Sequence, residues 1–349
     1  MDTAGLTTLN AIFQDINPPP SRIPRLLGYG LAVVCLVWVL HDFHIVKAMH
    51  ELAGVNWKWV ALGAAFDVLS YGVQALRWKL LLTPLGKVRI GRAVRAVYAG
   101  LFANAIFPLR PGEFLRSYVL ADSEAISLGR VLGSVGVERL VDLVIATASL
   151  AVVSLVVDLP RRWVRLAETL AIGALALLSI VVLLILYLEM KFGSHPAPEV
   201  VTRRFRGRFM GALAALHAMG TAPSFYSAVL TSFLMPACQV LGLWAMMESY
   251  HLRLSFLAAV VVLLVINLGV SLPNAPANVG SYQFFCVLGL SVFQVEKTTA
   301  AGFSFFAFLG LTLPIVLLGF VALLRSGMTV HSMREQVAGL PDKVSRSNA

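Results

Sequence analysis

Charge is scarce in this chain. Only 13% of its 349 residues are Asp, Glu, Lys or Arg, roughly half the share usual in water-soluble domains. With 58% apolar residues and a mean hydropathy of +0.81, that deficit excludes an ordinary soluble fold. Acid is the scarcer sign, and 28 Lys+Arg against 18 Asp+Glu leave a net charge of +10. In a soluble protein such an excess points to nucleic acid or an acidic surface. Here the apolar residues fall in long blocks, so the basic residues are read as cytoplasmic loops and no nucleic-acid partner is expected. Cysteine is rare too. Cys35, Cys238 and Cys286 each lie in an apolar stretch, without the paired spacing of a disulfide or zinc site. There is no Gly-rich phosphate loop, no Ser-His-Asp arrangement and no Cys/His metal spacing, and His41, His44 and His50 are too sparse for a metal. No catalytic constellation, metal or cofactor is therefore expected. The N-terminus lacks the basic start and small-residue cleavage site of a secretory signal.

What is abundant is membrane-length apolar sequence. A helix needs about 20 mostly apolar residues to cross a bilayer. Six stretches qualify: 24–41, 57–78, 131–157, 165–188, 223–247 and 299–324. Two further regions, 94–122 and 254–293, are apolar but broken by Pro and Gly. The expected fold is an all-α integral membrane protein of about six spans plus two broken re-entrant hairpins. A segment 1–23, compatible with a small interfacial helix or a loose tail, precedes a membrane domain 24–325, and a polar tail 326–349 follows it. Within the domain, a first half (57–188) and a second half (223–324) are joined by a basic connector, 195–218. There Val201, Phe205, Phe209, Leu213 and Leu216 share one helical face, with Arg203, Arg204, Arg206 and Arg208 at its start. An amphipathic helix on anionic lipid and a plain basic loop both fit that pattern.

Basic clusters follow the second, fourth and sixth spans. If these are cytoplasmic, Lys47, Lys58, Arg161, Arg162, Arg165, Arg253 and Lys297 remain on the other face, a clear bias. Both termini are then expected inside the plasma (inner) membrane. Region 94–122 must dip in from the cytoplasm and region 254–293 from outside.

The two broken regions resemble each other. One runs Asn104 to Pro108, then Arg110-Pro111-Gly112-Glu113 and Arg116. The other runs Asn267 to Pro273, then Pro276, Asn278, Gly280, Ser281 and Gln283. Each has Asn, an apolar run, Pro-x-x-Pro, Gly, and a helix-forming stretch. Inserted from opposite faces they form an inverted-topology pair. Irregular backbone cannot face lipid, so both breaks are expected in the protein interior or around a wet cavity. Pro111 and Pro276 suit the first position of a helix. The half-helices would then aim their N-termini, with partial positive charge and free N–H groups, at a common cavity suited to an anion. Arg110 and Arg116 add full charges, and a phosphate headgroup is the natural ligand.

Polar residues inside spans narrow the search. Glu138 and Asp142 are four apart on one helix face, beside Arg139, and need a cation between them. Arg110 or Arg116 is expected to supply it. Asp67, Tyr71 and Gln74 form a stripe at i, i+4 and i+7, with Arg77 a turn further at the cytoplasmic end. Such a stripe faces the bundle interior, either touching substrate or joining helices.

The run from Asn104 to Arg116, followed by Glu138-Arg139 and Asp142, resembles the membrane region of lysylphosphatidylglycerol synthases, found also as stand-alone flippase-like proteins. The run from Pro273 to Gln283 is similar to that family's second break, although many members carry Glu where this chain has Gln283. The resemblance covers residues 20–325. It implies a membrane protein that moves an aminoacylated phospholipid, polyprenyl-phosphate carrier, hopanoid or similar lipid between leaflets. Little sequence follows the last span, so the cytosolic aminoacyl-transferase domain of the full synthases is not expected and that activity is not carried over. The expected headgroup site is Asn104, Arg110, Glu113, Arg116, Glu138, Arg139, Asp142, Asn278, Ser281 and Gln283, with Asp67, Tyr71 and Gln74 as a secondary stripe. Two other classes remain. One is a membrane-embedded lipid-modifying enzyme using Glu113, Glu138 or Asp142 as base. The other is an accessory subunit presenting lipid to a partner such as a glycosyltransferase.

Overall fold

The computed structural model describes residues 22–41, 43–107, 110–156, 222–270 and 275–325, with isolated positions between 165 and 219. The expected fourth span lies largely outside the described residues. The 1–23 segment (all but its last two residues), the connector 195–218, the tail 326–349 and the pairs Pro108-Leu109 and Pro273-Asn274 lie outside them as well. The chain is α-helical, with no strand among the described residues.

Helices α1 (Arg22–Leu40), α2 (Ile45–Ala53), α3 (Trp57–Leu82), α4 (Ile90–Ile106) and α5 (Gly112–Glu124) come first. They are followed by α6 (Leu128–Val156), α7 (Pro223–Ser249), α8 (Phe256–Val270), α9 (Ser281–Ser291) and α10 (Lys297–Arg325). Among the described residues, α3, α6, α7 and α10 are each long and apolar enough to cross a membrane, and they coincide with four of the expected spans. The chain is a multi-pass membrane protein. The expected first span, 24–41, is α1, and it turns by 83° into α2, a short helix that the sequence did not predict.

Outward faces are greasy. Leu309, Leu313 and Leu317 on α10, and Val152, Leu155 and Val156 on α6, are exposed as only a lipid-facing surface allows. Inward contacts use small residues, since helices in lipid associate through close packing. Where α3 crosses α7, a methyl group on Gly63 would stand 2.9 Å from the Gly242 carbonyl oxygen. Where α10 crosses α4, one on Gly319 would stand 2.6 Å from the Tyr98 carbonyl oxygen.

The two broken regions are hairpins. Helix α4 packs on α5, and α8 packs on α9. All four helices are 17 residues or shorter, below crossing length. Helix α4 stops at Phe107, which is extended, as the residue before a proline must be. The short 3-10 turn Pro276–Asn278 of the second break packs against α4, so the two breaks meet.

Candidate functional site

The site is built on the contact between α3 and α6. On α3, Gln74, Arg77 and Trp78 occupy positions i, i+3 and i+4. On α6, Ser134, Glu138 and Asp142 repeat every four residues. Both sets therefore form a single face. The Trp78 indole N–H donates to Ser134 Oγ at 2.9 Å, and Gln74 Nε2 donates to Glu138 Oε1 at 3.0 Å.

Arg77 occupies the centre. Its Nη2 donates to Glu138 Oε1 at 2.5 Å and its Nη1 to Asp142 Oδ1 at 2.5 Å. Arg116, from α5, donates Nη2 to the other oxygen of Glu138 at 2.8 Å, while its guanidinium lies 4.8 Å from the Trp78 ring centroid. Glu138 is fully buried, and Arg77 and Arg116 nearly so. A buried carboxylate is tolerable because two guanidiniums and an amide surround it. One sequence expectation is corrected here. The cation bridging Glu138 and Asp142 is Arg77; Arg116 holds only Glu138, and Arg110 takes no part.

At the rim, Arg139 is half-exposed. It donates to both Glu113 oxygens and lies 3.7 Å from Asp142 Oδ2. Arg77, Arg116 and Arg139 thus match Glu138, Asp142 and Glu113 in number, and the network is neutral.

Arg110 is the charge left over. It sits in the first break with a left-handed φ of 53°, a costly conformation for an arginine. Its Nη1 reaches across to the carbonyl of Val270, the last residue of α8, at 2.7 Å. Its Nε is buried with no hydrogen-bond partner among the described residues. This contact joins the first break to the start of the second.

Both breaks close their following helix with a side-chain amide. Asn104 Oδ1 accepts from Gly112 N–H at 2.7 Å, and Gln283 Oε1 accepts from Gly280 N–H at 2.7 Å. The prolines sit differently from the expectation. Pro111 is the residue before α5, and Pro276 opens the short 3-10 turn, while α9 starts only after Gly280. Gly280 has φ +86°, and a Cβ there would meet the Ala32 carbonyl oxygen at 2.5 Å. Asn104 and Gln283 therefore serve the backbone, so these N–H groups are not free for an anion. Ser281 is buried and hydrogen-bonds with Cys35. Asn278, at φ 60°, has a buried Oδ1 without a partner among the described residues, and the Tyr282 hydroxyl is in the same condition.

The stripe on α3 divides. Gln74 joins helices through Glu138, and Tyr71 hydrogen-bonds with Gln239 of α7. Asp67 is buried, and among the described residues no ion pair or hydrogen bond to its carboxylate is found. Arg77 and Trp78 were absent from the sequence-derived site, although Arg77's i+3 spacing from Gln74 was available as a signal.

Comparison with known proteins identifies the fold's relatives. Residues 25–319 match the lysylphosphatidylglycerol synthase TM region family along their length. The chain belongs to that family. Every residue of the site lies inside the matched stretch of this lysylphosphatidylglycerol synthase TM region. A curated relative is the glycosyltransferase AglD of Haloferax volcanii, 28% identical over 136 residues. The match covers 39% of this chain and 22% of that protein, so the chain spans about a fifth of the relative's length.

Proposed function

We propose that the protein binds a lipid with an anionic or polar headgroup at the meeting point of its two breaks and moves it between leaflets. The observation that carries this reading is Arg110: an arginine at membrane depth, with no carboxylate partner among the described residues. Ionisable groups in such a place mark substrate paths. The partnerless Asn278 Oδ1 in the second break supplies a polar group of the kind a headgroup satisfies. The lipid tails stay in the bilayer, and the hairpins act as an inverted repeat whose halves rock against each other. Both chain ends lie on the cytoplasmic face of the plasma membrane, and no chemistry is done on the lipid. The family membership and the greasy outer faces support the lipid as substrate.

Native mass spectrometry of the gently purified protein tests this. Wild type and an Arg325→Ala control should retain one lipid class, which Arg110→Ala should lose while remaining folded. Equal retention by all three would overturn the central site. The match to a stretch of a glycosyltransferase favours a second reading, in which the protein presents its lipid to such an enzyme. Loss of function on separating the two proteins would favour it.

A further inference from the structure

Asp67 is a carboxylate that the charged network does not use. It lies ten residues into α3, about 15 Å from the start of that helix at 1.5 Å per residue. In a hydrocarbon core about 30 Å thick that depth is close to the midplane. The groups facing it can be named element by element. Its own helix brings Tyr71, and Ser70 donates only to the Asp67 main-chain carbonyl. Helix α4 brings Tyr98, whose hydroxyl is committed to the Val68 carbonyl at 2.8 Å. Helix α7 brings Gly242, packed against the Asp67 backbone and Cβ, and Gln239, which is taken by Tyr71. Helix α9 brings Tyr282, whose buried hydroxyl has no partner among the described residues. Arg110 acts on Tyr71 beyond, and no cation pairs with Asp67 among the described residues.

A carboxylate left charged and alone at that depth costs several kcal/mol or more, so it is neutralised by a ligand. An anionic headgroup is repelled by a carboxylate, and a metal ion needs a set of ligands that the described residues do not assemble, whereas a proton needs neither. A protonated Asp67 has a hydroxyl to give, and an ionised one has lone pairs that accept the spare O–H of Tyr282. The two states therefore pull differently on α9, the helix that follows the second break.

We propose that Asp67 is a proton-binding site whose loading and unloading is transmitted through Tyr282 to the second hairpin. The proton arrives from one aqueous face, sits on an Asp67 carboxylate oxygen and leaves to the other face, with no other group changing its charge. The coupling to lipid movement rests on the function proposed above; the proton binding itself does not.

The first measurement is pH-difference infrared spectroscopy of the purified protein. Wild type should show a protonated-carboxyl band that titrates between about pH 5 and 9, a range in which buried carboxyls are known to titrate. Asp67→Asn should lack that band, and Tyr282→Phe should keep it. A band unchanged in Asp67→Asn, a residue 67 that never changes protonation, or a band set by sodium at constant pH would each overturn the proposal. The second measurement uses phosphatidylcholine vesicles carrying fluorescent phosphatidylglycerol. An imposed pH gradient should bias redistribution of the probe by wild type, with the bias cut about tenfold in Tyr282→Phe and lost in Asp67→Asn. Redistribution insensitive to the gradient would overturn the coupling. No redistribution under any condition, beside an intact Asp67 titration, would instead overturn the lipid-moving function and leave the proton site standing.

Discussion

At the first break an amide from the helix before it, Asn104, accepts the Gly112 N–H. At the second, an amide from the helix after it, Gln283, accepts the Gly280 N–H, at the same 2.7 Å. The backbone problem is shared, because non-helical N–H groups at membrane depth have no water to turn to. The surroundings differ. The first break carries Arg110 and is bordered by the Arg116–Glu138–Arg77 network, whereas the second presents only neutral groups, Asn278, Tyr282 and buried Ser281. One hairpin is held by electrostatics and the other by packing. The hydrogen bond from Arg110 to the Val270 carbonyl, with the packing of the Pro276–Asn278 turn on α4, ties the charged one to the neutral one.

The sharpest way to break that contrast is at Glu138. Replacing it by Gln leaves Arg77 and Arg116 buried together without the carboxylate that separates them. Removing one partner of a buried ion pair costs about 3–5 kcal/mol. Glu138→Gln should therefore lower the unfolding temperature in detergent steeply. Asp142→Asn, a third exposed and in contact with only one of the two buried arginines, should lower it much less. Equal losses would mean that the first hairpin is not held by buried charge balance.

That network also marks the limit of what the sequence made legible. Four long helices followed from apolar runs, because lipid demands length and composition that nothing else in a chain imitates. The breaks followed from Pro and Gly, since Phe107 before Pro108 has little choice but to leave the helix. Arg77 did not follow. It sits five residues from the end of α3, among Lys79, Lys87, Arg89 and Arg92, and in one dimension it looks like another orientation charge. Only the packing of α3 on α6 separates it from them. Nor did the role of Gln283 follow: the repeat and the family resemblance place it in the second break, but only the fold shows its oxygen accepting the Gly280 N–H.

A smaller effect sharpens the packing side. A methyl group on Gly112 would stand 1.9 Å from the Gly100 carbonyl oxygen, which belongs to the α4 backbone and cannot rotate away. A methyl group on Gly269 would stand equally close, 1.9 Å, to the Phe285 ring, which is a side chain that can turn. Overpacking costs roughly 1–3 kcal/mol, and more where backbone must shift. Gly112→Ala should therefore be the worse of the two in heat unfolding, and Gly269→Ala should recover stability when paired with Phe285→Leu. If Gly269→Ala were the worse, the first hairpin would be the more yielding one and the contrast would reverse.

The smallest expected effect compares the amides themselves. Asn104→Ala and Gln283→Ala each remove the acceptor of one N–H, and losing such a cap costs about 1 kcal/mol in water. Both glycines are buried, but the capping Gln283 is buried too, whereas Asn104 is only half-buried. A buried donor left unsatisfied costs about 1–3 kcal/mol, so Gln283→Ala should exceed Asn104→Ala. Hydrogen exchange at the two glycine amides reads this directly. Gly280 should gain little exchange unless the hairpin opens, and Gly112 should exchange faster because water can take the place of the half-buried Asn104 side chain. The reverse order would place the wetter break on the neutral side, and the path for a headgroup would then have to be sought beside Asn278 instead of Arg110.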